Sequence, residues 1–240
     1  MAESIKGRLV ILRHGQTGHN VQHLMTGQMD VPLTPEGEEQ AREAGRLLSP
    51  IIFDKVYCST LSRAFNTAAL ALEHAETQIR LMNADGTWQI EKRREIIEQH
   101  SGDFTGRNHK TDPDVLAWQR TYDTPLPGGE SDREVVERVG AFYQNEIVPR
   151  MKRGETVLVV AHAGVLRAFD IVLGFEDIPE DGIWTTRKKK RVPNATPLVV
   201  DFEDGRITGS YHIDNARELE AANQNIPPDV KSAKKPSNNP

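Results

Sequence analysis

The chain carries one pattern twice, as LVILRHG at residues 9–15 and as VLVVAHAG at residues 157–164. Each copy is a short apolar run that ends in a histidine and continues into small residues. Such runs are typical of strands that are buried on both faces of a parallel sheet. Because ligands bind outside the carboxyl ends of parallel strands, the pattern predicts that His14 and His162 lie together at a functional edge.

Amphipathic segments alternate with apolar runs along the rest of the chain. Thr34-Pro35 predicts a helix start, with Thr as N-cap and Pro at the first helical position, and Ser131 with Glu134 forms a capping box. The complete prediction is strands at 9–12, 55–59, 156–160, 197–202 and 206–211, and helices at 34–48, 61–73, 114–122, 131–151 and 164–173. This alternation predicts one three-layer α/β/α domain over residues 1–216 with a mostly parallel central sheet.

The composition excludes several classes of protein. The 240 residues are 37% apolar and 27% charged, with a net charge of -5, which is ordinary for a globular domain and disfavours a nucleic-acid partner. No apolar run approaches the roughly 20 residues of a membrane helix, and the N-terminal run does not resemble a signal peptide, so we predict a cytoplasmic protein without a membrane partner. The single cysteine, Cys58, excludes an intramolecular disulfide and a cysteine-based zinc site.

Three segments differ in composition from the rest. Residues 111–130 are rich in Pro, Gly, Asp and Thr, which predicts a loop over the sheet edge that is suited to act as a lid. Residues 217–240 lack the apolar content to form a core and are predicted to be a disordered tail. The run RKKKR at 187–191 is interpreted as a solvated loop, in preference to a cationic segment that swings over the site.

The two histidines suit phosphoryl transfer. A neutral imidazole is a good nucleophile toward phosphorus, and its ordinary pKa of about 6.5 leaves much of it neutral at pH 7. Arg13 precedes His14 and favours an anionic ligand, because guanidinium groups form paired hydrogen bonds with phosphate oxygens. A single strand-end histidine is more often structural, but the matched pair beside an arginine favours chemistry. A metal site is the rival interpretation; Arg13 would repel a cation, and neither segment offers an adjacent carboxylate or thiolate, so no metal is predicted.

The segment RHGQT at residues 13–17 resembles the signature of the histidine phosphatase (phosphoglycerate mutase-like) superfamily. The resemblance extends from about Arg8 to Tyr211. Further matches follow in the family's order, at Asn20, at Thr26-Gly27, at the segment STLSRA that contains Arg63, at Glu98, and at the AHAG segment that contains His162 and Gly164.

This resemblance implies a division of labour among the matched residues. His14 would be phosphorylated transiently, without a metal ion, and Glu98 would protonate the leaving oxygen and then activate the acceptor. The implied phosphate ligands are Arg13, Asn20, Arg63, His162 and Gly164. The implied substrate contacts are Thr26, Gly27, His109, Lys110 and Arg120.

The segment from Trp118 to Ser131 resembles the branch of mutases that depend on 2,3-bisphosphoglycerate. Some positions depart from that branch: Gln99, Ser101 and Gln119 replace an Arg, a Tyr and an Arg, His109 falls where a lysine is usual, and Gly164 falls where an asparagine is usual. Each loss of a cation weakens the binding of a highly anionic cofactor.

The resulting prediction is a 2,3-bisphosphoglycerate-dependent phosphoglycerate mutase acting on a small phosphorylated metabolite. The alternatives are a metal-independent phosphomonoesterase that uses the same His14 and, more remotely, a non-catalytic phospholigand-binding module. A homodimer is compatible with the sequence, which does not itself fix the oligomeric state.

Overall fold

The computed structural model describes residues 4–73, 80–118, 121–178 and 193–213. Within these residues six strands form one sheet in the order β3-β2-β4-β1-β5-β6. The strands are β1 (Lys6–Arg13), β2 (Lys55–Ser59), β3 (Ile90–Arg93), β4 (Thr156–Ala161), β5 (Leu198–Glu203) and β6 (Arg206–His212).

The central strands run parallel, as predicted. β1 pairs with β4 from Arg8 opposite Thr156 to Arg13 opposite Ala161, and β2 pairs in parallel with both β3 and β4. β5 runs antiparallel to β1 and to β6, with which it forms the predicted terminal hairpin. The carboxyl ends of β1, β2 and β4 therefore lie at one edge of the sheet.

Helices cover both faces of the sheet, which confirms the three-layer α/β/α class. The described helices are α1 (Gly18–Val21), α2 (Pro35–Leu48), α3 (Ser62–Glu73), α4 (Pro113–Ala117), α5 (Asp132–Phe142), α6 (Val148–Met151) and α7 (Ala163–Val172). Alternate residues of β1 point to opposite cores: Leu9 and Ile11 pack with α5–α7, and Val10 and Leu12 pack with α2 and α3. This alternation explains why both strand faces are apolar.

Local sequence signals account for the helix starts. The hydroxyl of Thr34 accepts a hydrogen bond from the amide of Gly37, and Ser131 and Glu134 form the reciprocal bonds of a capping box. The predicted helix at 131–151 is one helical run in which a π-helical turn, Tyr143–Ile147, joins α5 to α6.

One predicted helix is too long, and one strand was not predicted. The helix predicted over 114–122 ends at Ala117, because Trp118 adopts an extended backbone and packs against Phe104. The charged residues 90–93, where no strand was predicted, form β3. Within the described sheet β3 pairs with β2 alone and lies at the edge, where charged residues are tolerated and the apolar pattern is weak.

Several predictions fall wholly or partly outside the described residues. They concern the basic run at 187–191, the tail at 217–240 and residues 119–120 of the proposed lid. Among the residues that are described, no helix is long and apolar enough to cross a membrane.

Candidate active site

The two strand-end histidines meet at the sheet edge, as their placement predicted. β1 and β4 are neighbours, and the amide of His14 continues their pairing by donating to the carbonyl of Ala161 at 3.0 Å. The two imidazole ring centres are 5.1 Å apart, with the rings tilted by 58°. Side chains that are 148 positions apart in the sequence therefore form one site.

The His14 ring is buried and held in one tautomer. Its Nδ1 lies 2.7 Å from the carbonyl oxygen of Gly15. Because a carbonyl can only accept, Nδ1 carries the proton and Nε2 is left with a lone pair. Burial, and then the charges of Arg13 and Arg63, hold the pKa of His14 well below its usual range. The ring is thus a neutral imidazole with a free nucleophilic nitrogen.

His162 is fully buried, and among the described residues neither of its ring nitrogens has a hydrogen-bond partner. Burial, followed by the nearby charge of Arg63, holds its pKa well below the usual range. A buried polar group without a partner is unusual in a native protein and commonly marks a functional position. The ring lies beside His14 but is not among the residues that line the cleft.

Arg63 lies at the start of α3, is only 1% exposed, and is bonded to the loop that follows α1. Its two terminal nitrogens donate to the carbonyls of Met29 at 2.8 Å and Gly27 at 2.9 Å. Its Nε is buried without a partner. Burial lowers the pKa of Arg63, and the charges of Glu98 and Asp30 oppose that shift. Arg63 is thus a rigidly held cation with donor capacity left for an anion.

Glu98 is held at the same edge by backbone amides. Its Oε1 accepts from the amide of Gln99 at 2.8 Å and from the amide of Gly164 at 3.1 Å. A Cβ on Gly164 would lie only 2.4 Å from that oxygen, so a larger residue here would displace the Glu98 carboxylate from its present position. The Gly164 amide, which the resemblance assigns to phosphate, is directed at Glu98 in this structure.

A cleft of about 200 Å³ brings most of the predicted residues together. Those that line it are Arg13, His14, Asn20, Thr26, Gly27, Arg63, Glu98 and His109. Arg167, Gln99 and Ser101 also line the cleft. Arg167 was not predicted as a site residue. It lies on the first turns of α7, the helix that begins directly after His162, and this proximity in sequence could have indicated that it reaches the site.

The predicted substrate contacts do not all face the cleft. His109 lines it, and burial followed by the nearby His23 and Lys110 lowers its pKa. Lys110 is not among the lining residues; its Nζ lies 3.0 Å from Nε2 of His23. Arg120 falls outside the described residues.

Asn194 supports the strand end and was not predicted as a site residue. Its amide nitrogen donates to the carbonyl of His14 at 2.8 Å and to the side-chain oxygen of Asn20 at 3.3 Å. The same Asn20 oxygen accepts from the amide of Thr17. The available signal was the segment Pro193-Asn194-Ala195, which resembles the phosphatases of the family as much as the mutases.

A model of the histidine phosphatase superfamily (branch 1) matches residues 9–214. The chain therefore belongs to this superfamily, which confirms the resemblance noted from the sequence, and it is an enzyme of phosphoryl transfer.

Relatives with named activities fall into two groups. A 2,3-bisphosphoglycerate-dependent phosphoglycerate mutase of Caulobacter sp. (strain K31) is 35% identical, with 87% of this chain and 95% of the relative covered. Among solved structures, the α-ribazole phosphatase of Shigella flexneri has a TM-score of 0.65 and 28% identity, and covers 84% of this chain and 93% of its own. A mycobacterial glucosyl-3-phosphoglycerate phosphatase has a TM-score of 0.65 and 26% identity, and the match covers 82% of this chain and 90% of the phosphatase. The chain is thus similar to mutases and to phosphatases.

Proposed function

We propose that this chain is a 2,3-bisphosphoglycerate-dependent phosphoglycerate mutase that works through a phosphohistidine at His14. The observation that carries the proposal is the similarity to the Caulobacter mutase, which spans 95% of that relative at 35% identity. His14 lines a cleft that also contains Arg13 and Arg63, and His162 lies directly behind it with the ring centres 5.1 Å apart, which supports the covalent step. An enzyme that interconverts 3- and 2-phosphoglycerate would serve glycolysis in the cytoplasm.

The first step uses groups that the structure brings together. Nε2 of His14 attacks phosphorus, a P–N bond forms, and the P–O ester bond breaks. Glu98 delivers a proton to the leaving oxygen and recovers it when the acceptor hydroxyl attacks the phosphohistidine. Arg13, Arg63 and His162 bind the oxygens of the transferred group, because phosphoryl transfer depends on positioning and on stabilisation of negative charge.

The residues of the cleft fit a bisphosphorylated cofactor. Among the described residues the Nε of Arg63 has no partner, and this nitrogen and the single N–H of the neutral His162 ring would donate to one phosphoryl group. Thr26, Gly27 and His109 line the same cleft and would hold the remainder of the molecule. When bound, 2,3-bisphosphoglycerate supplies the phosphoryl group that His14 retains. In this proposal residues 111–130, including Arg120, close over the ligand and keep water out.

A metal-independent phosphomonoesterase is the second candidate, and the neutral residues Gln99 and Ser101 that line the cleft favour it. Gln99 and Ser101 are neutral where the mutase branch carries Arg and Tyr. The Gln99 side chain also donates to the carbonyl of Glu130 at 2.9 Å, so it is engaged within the protein. Fewer cations would weaken the binding of a bisphosphorylated cofactor, and water would then accept the phosphoryl group.

A product ratio separates the two candidates. The protein is supplied with 3-phosphoglycerate and a trace of 2,3-bisphosphoglycerate, and 2-phosphoglycerate and inorganic phosphate are measured together. The mutase proposal expects 2-phosphoglycerate to form faster than phosphate. If phosphate dominates with many monoesters, the enzyme is a phosphatase, and if neither 3-phosphoglycerate nor any other phosphomonoester is turned over, the site is a phospholigand-binding module.

The same assay tests the proposed independence from metal ions. Within the described ranges, no group of three or more His, Cys, Asp or Glu side chains is arranged to hold a metal ion. We expect activity to survive exhaustive chelation. Loss of activity that one added metal restores would contradict the proposal.

A further inference from the structure

The turn from Gly27 to Asp30 contacts both Arg63, which is proposed to bind phosphate, and Glu98, which is proposed to transfer the proton. The carbonyls of Gly27 and Met29 hold the terminal nitrogens of Arg63. Between them, the half-buried Gln28 points the other way, and its Nε2 donates to the carbonyl oxygen of Glu98 at 3.0 Å. One side chain thus links the backbone that holds Arg63 to the backbone that carries Glu98.

The turn itself is fixed at both ends. Gly27 has a φ of +51°, and a Cβ there would meet the Ser101 side chain and amide at about 3 Å, so it packs directly on the segment that follows Glu98. Asp30 accepts from the amide and the hydroxyl of Ser62, at 2.9 and 2.7 Å, and so secures the start of α3. With both ends anchored, Gln28 has a defined direction.

The hydrogen bond from Gln28 fixes the orientation of the peptide unit between Glu98 and Gln99. The peptide unit between residues 98 and 99 contains the Glu98 carbonyl, which accepts from Gln28, and the Gln99 amide, which donates to the Glu98 carboxylate at 2.8 Å. Because a peptide unit is planar, fixing its carbonyl also fixes its N–H. The direction of the amide that holds the Glu98 carboxylate therefore depends on Gln28.

We propose that Gln28 is a positioning residue for proton transfer: it orients the 98–99 peptide and thereby holds the Glu98 carboxylate at the leaving oxygen. The inference rests on the proposed function in that Glu98 is taken as the acid and base of the reaction. Loss of the Gln28 donor frees the peptide to rotate, so the Gln99 amide no longer holds the Glu98 carboxylate in one direction. Proton delivery slows, while phosphate binding by Arg63 is retained through the two backbone carbonyls.

Gln28→Met tests this inference, since methionine keeps the length of the side chain and removes the donor. The rate at which His14 is phosphorylated is measured by rapid quench with two donors. 2,3-Bisphosphoglycerate has an alkoxide leaving group that needs a proton, whereas p-nitrophenyl phosphate has a leaving group that departs without one. We expect Gln28→Met to slow the first reaction about tenfold, as for a lost hydrogen bond to a charged group, and to leave the second nearly unchanged.

The separation of kcat from KM supplies a second measurement. Because Arg63 keeps its bonds to the carbonyls of Gly27 and Met29, Gln28→Met should lower kcat with 2,3-bisphosphoglycerate and leave KM nearly unchanged. Gln89→Met is the matched control, since Gln89 is an exposed glutamine beside β3. We expect the control to behave as the wild type with both donors.

Glu98→Gln separates the failure of this inference from the failure of the proposed function. If Glu98→Gln slows both donors equally, Glu98 is not the acid and the proposed function is wrong at that residue. If Glu98→Gln slows only the bisphosphoglycerate reaction while Gln28→Met slows both equally or neither, Glu98 keeps its role and the positioning inference is overturned.

Discussion

The two histidines of the site lie in matching positions but have different surroundings. His14 donates from Nδ1 to the carbonyl of Gly15, which leaves Nε2 as an acceptor. His162 is at least as deeply buried and has no hydrogen-bond partner at either nitrogen. One ring is oriented by a protein hydrogen bond, as a nucleophile must be, and the other has ring nitrogens that no described protein group bonds. The same strand-end pattern thus places a nucleophile at His14 and a proposed phosphoryl-binding group at His162, and the neighbours of each ring determine its role.

The largest expected effect follows from removing the oriented ring. His14→Ala should abolish phosphoryl transfer, because the lone pair at Nε2 is the nucleophile. Rapid quench with radiolabelled 2,3-bisphosphoglycerate, followed by peptide mapping, should place an acid-labile phosphate on His14 of the wild type, and circular dichroism should show that the variant is folded. Label on His162 instead would reverse the two roles.

A smaller loss is expected from removing the unpartnered ring. His162→Ala deletes a donor to the transferred group, and the loss of one such donor typically lowers turnover by about 10²–10³. The variant should still form phosphohistidine at His14, slowly, in the quench experiment. Complete absence of the phosphoenzyme in a folded variant would show that His162 does more than stabilise charge.

The glycines beside the two histidines extend the comparison. A Cβ on Gly15 would lie 2.1 Å from the carbonyl oxygen of Gly37 in α2, whereas a Cβ on Gly164 would meet the Glu98 carboxylate. Gly15→Ala should therefore lower the free energy of unfolding by about 1–3 kcal/mol, as expected for overpacking against backbone. Gly164→Ala should instead lower kcat roughly 10- to 100-fold through misplacement of the carboxylate.

Thermal melts and kinetics on both variants check this difference. Gly140→Ala is the control, because Gly140 lies in α5 and a Cβ there makes only an ordinary contact with Val172. It should leave activity unchanged and slightly raise Tm, since alanine is a better helix former. A Gly164→Ala variant with normal activity would show that the contact with Glu98 does not matter for the reaction.

The smallest effect concerns stability against pH. Both histidines have a folded-state pKa below the unfolded value of about 6.5, so below that pH the unfolded chain binds protons that the folded chain does not. Stability is therefore kept above pH 6.5 and falls as the pH is lowered, by up to about 1.4 kcal/mol per pH unit for each ring. Calorimetry between pH 7.5 and 5 should show a weaker fall in Tm for His162→Gln than for the wild type. His100→Gln, at an exposed histidine, should show the same fall in Tm with pH as the wild type. If Tm falls equally with pH in all three proteins, burial of His162 does not cause the loss of stability at low pH.

The sequence alone predicted the frame of the site. Buried strands such as β1 and β4 have continuous apolar runs, and helix starts such as Thr34 and Ser131 have capping residues, so these signals are local. The motif around Arg13 and His14 identified the superfamily, which the family model confirmed. The short edge strand β3 lacks such a signal, because its pairing with β2 and not its apolar content places it in the sheet.

Tertiary structure decided how the groups of the site act on one another. The sequence did not predict that Asn194 would hold the carbonyl of His14, that Arg167 would line the cleft, or that Gln28 would reach Glu98. Each contact joins residues that are far apart in the chain, and its direction depends on how strands and loops pack. The sequence by itself determined which chemical groups are present and which strands and helices carry them. Their orientation, tautomer and proton affinity were set only by folding, because burial, charge and hydrogen bonding are properties of the assembled neighbourhood.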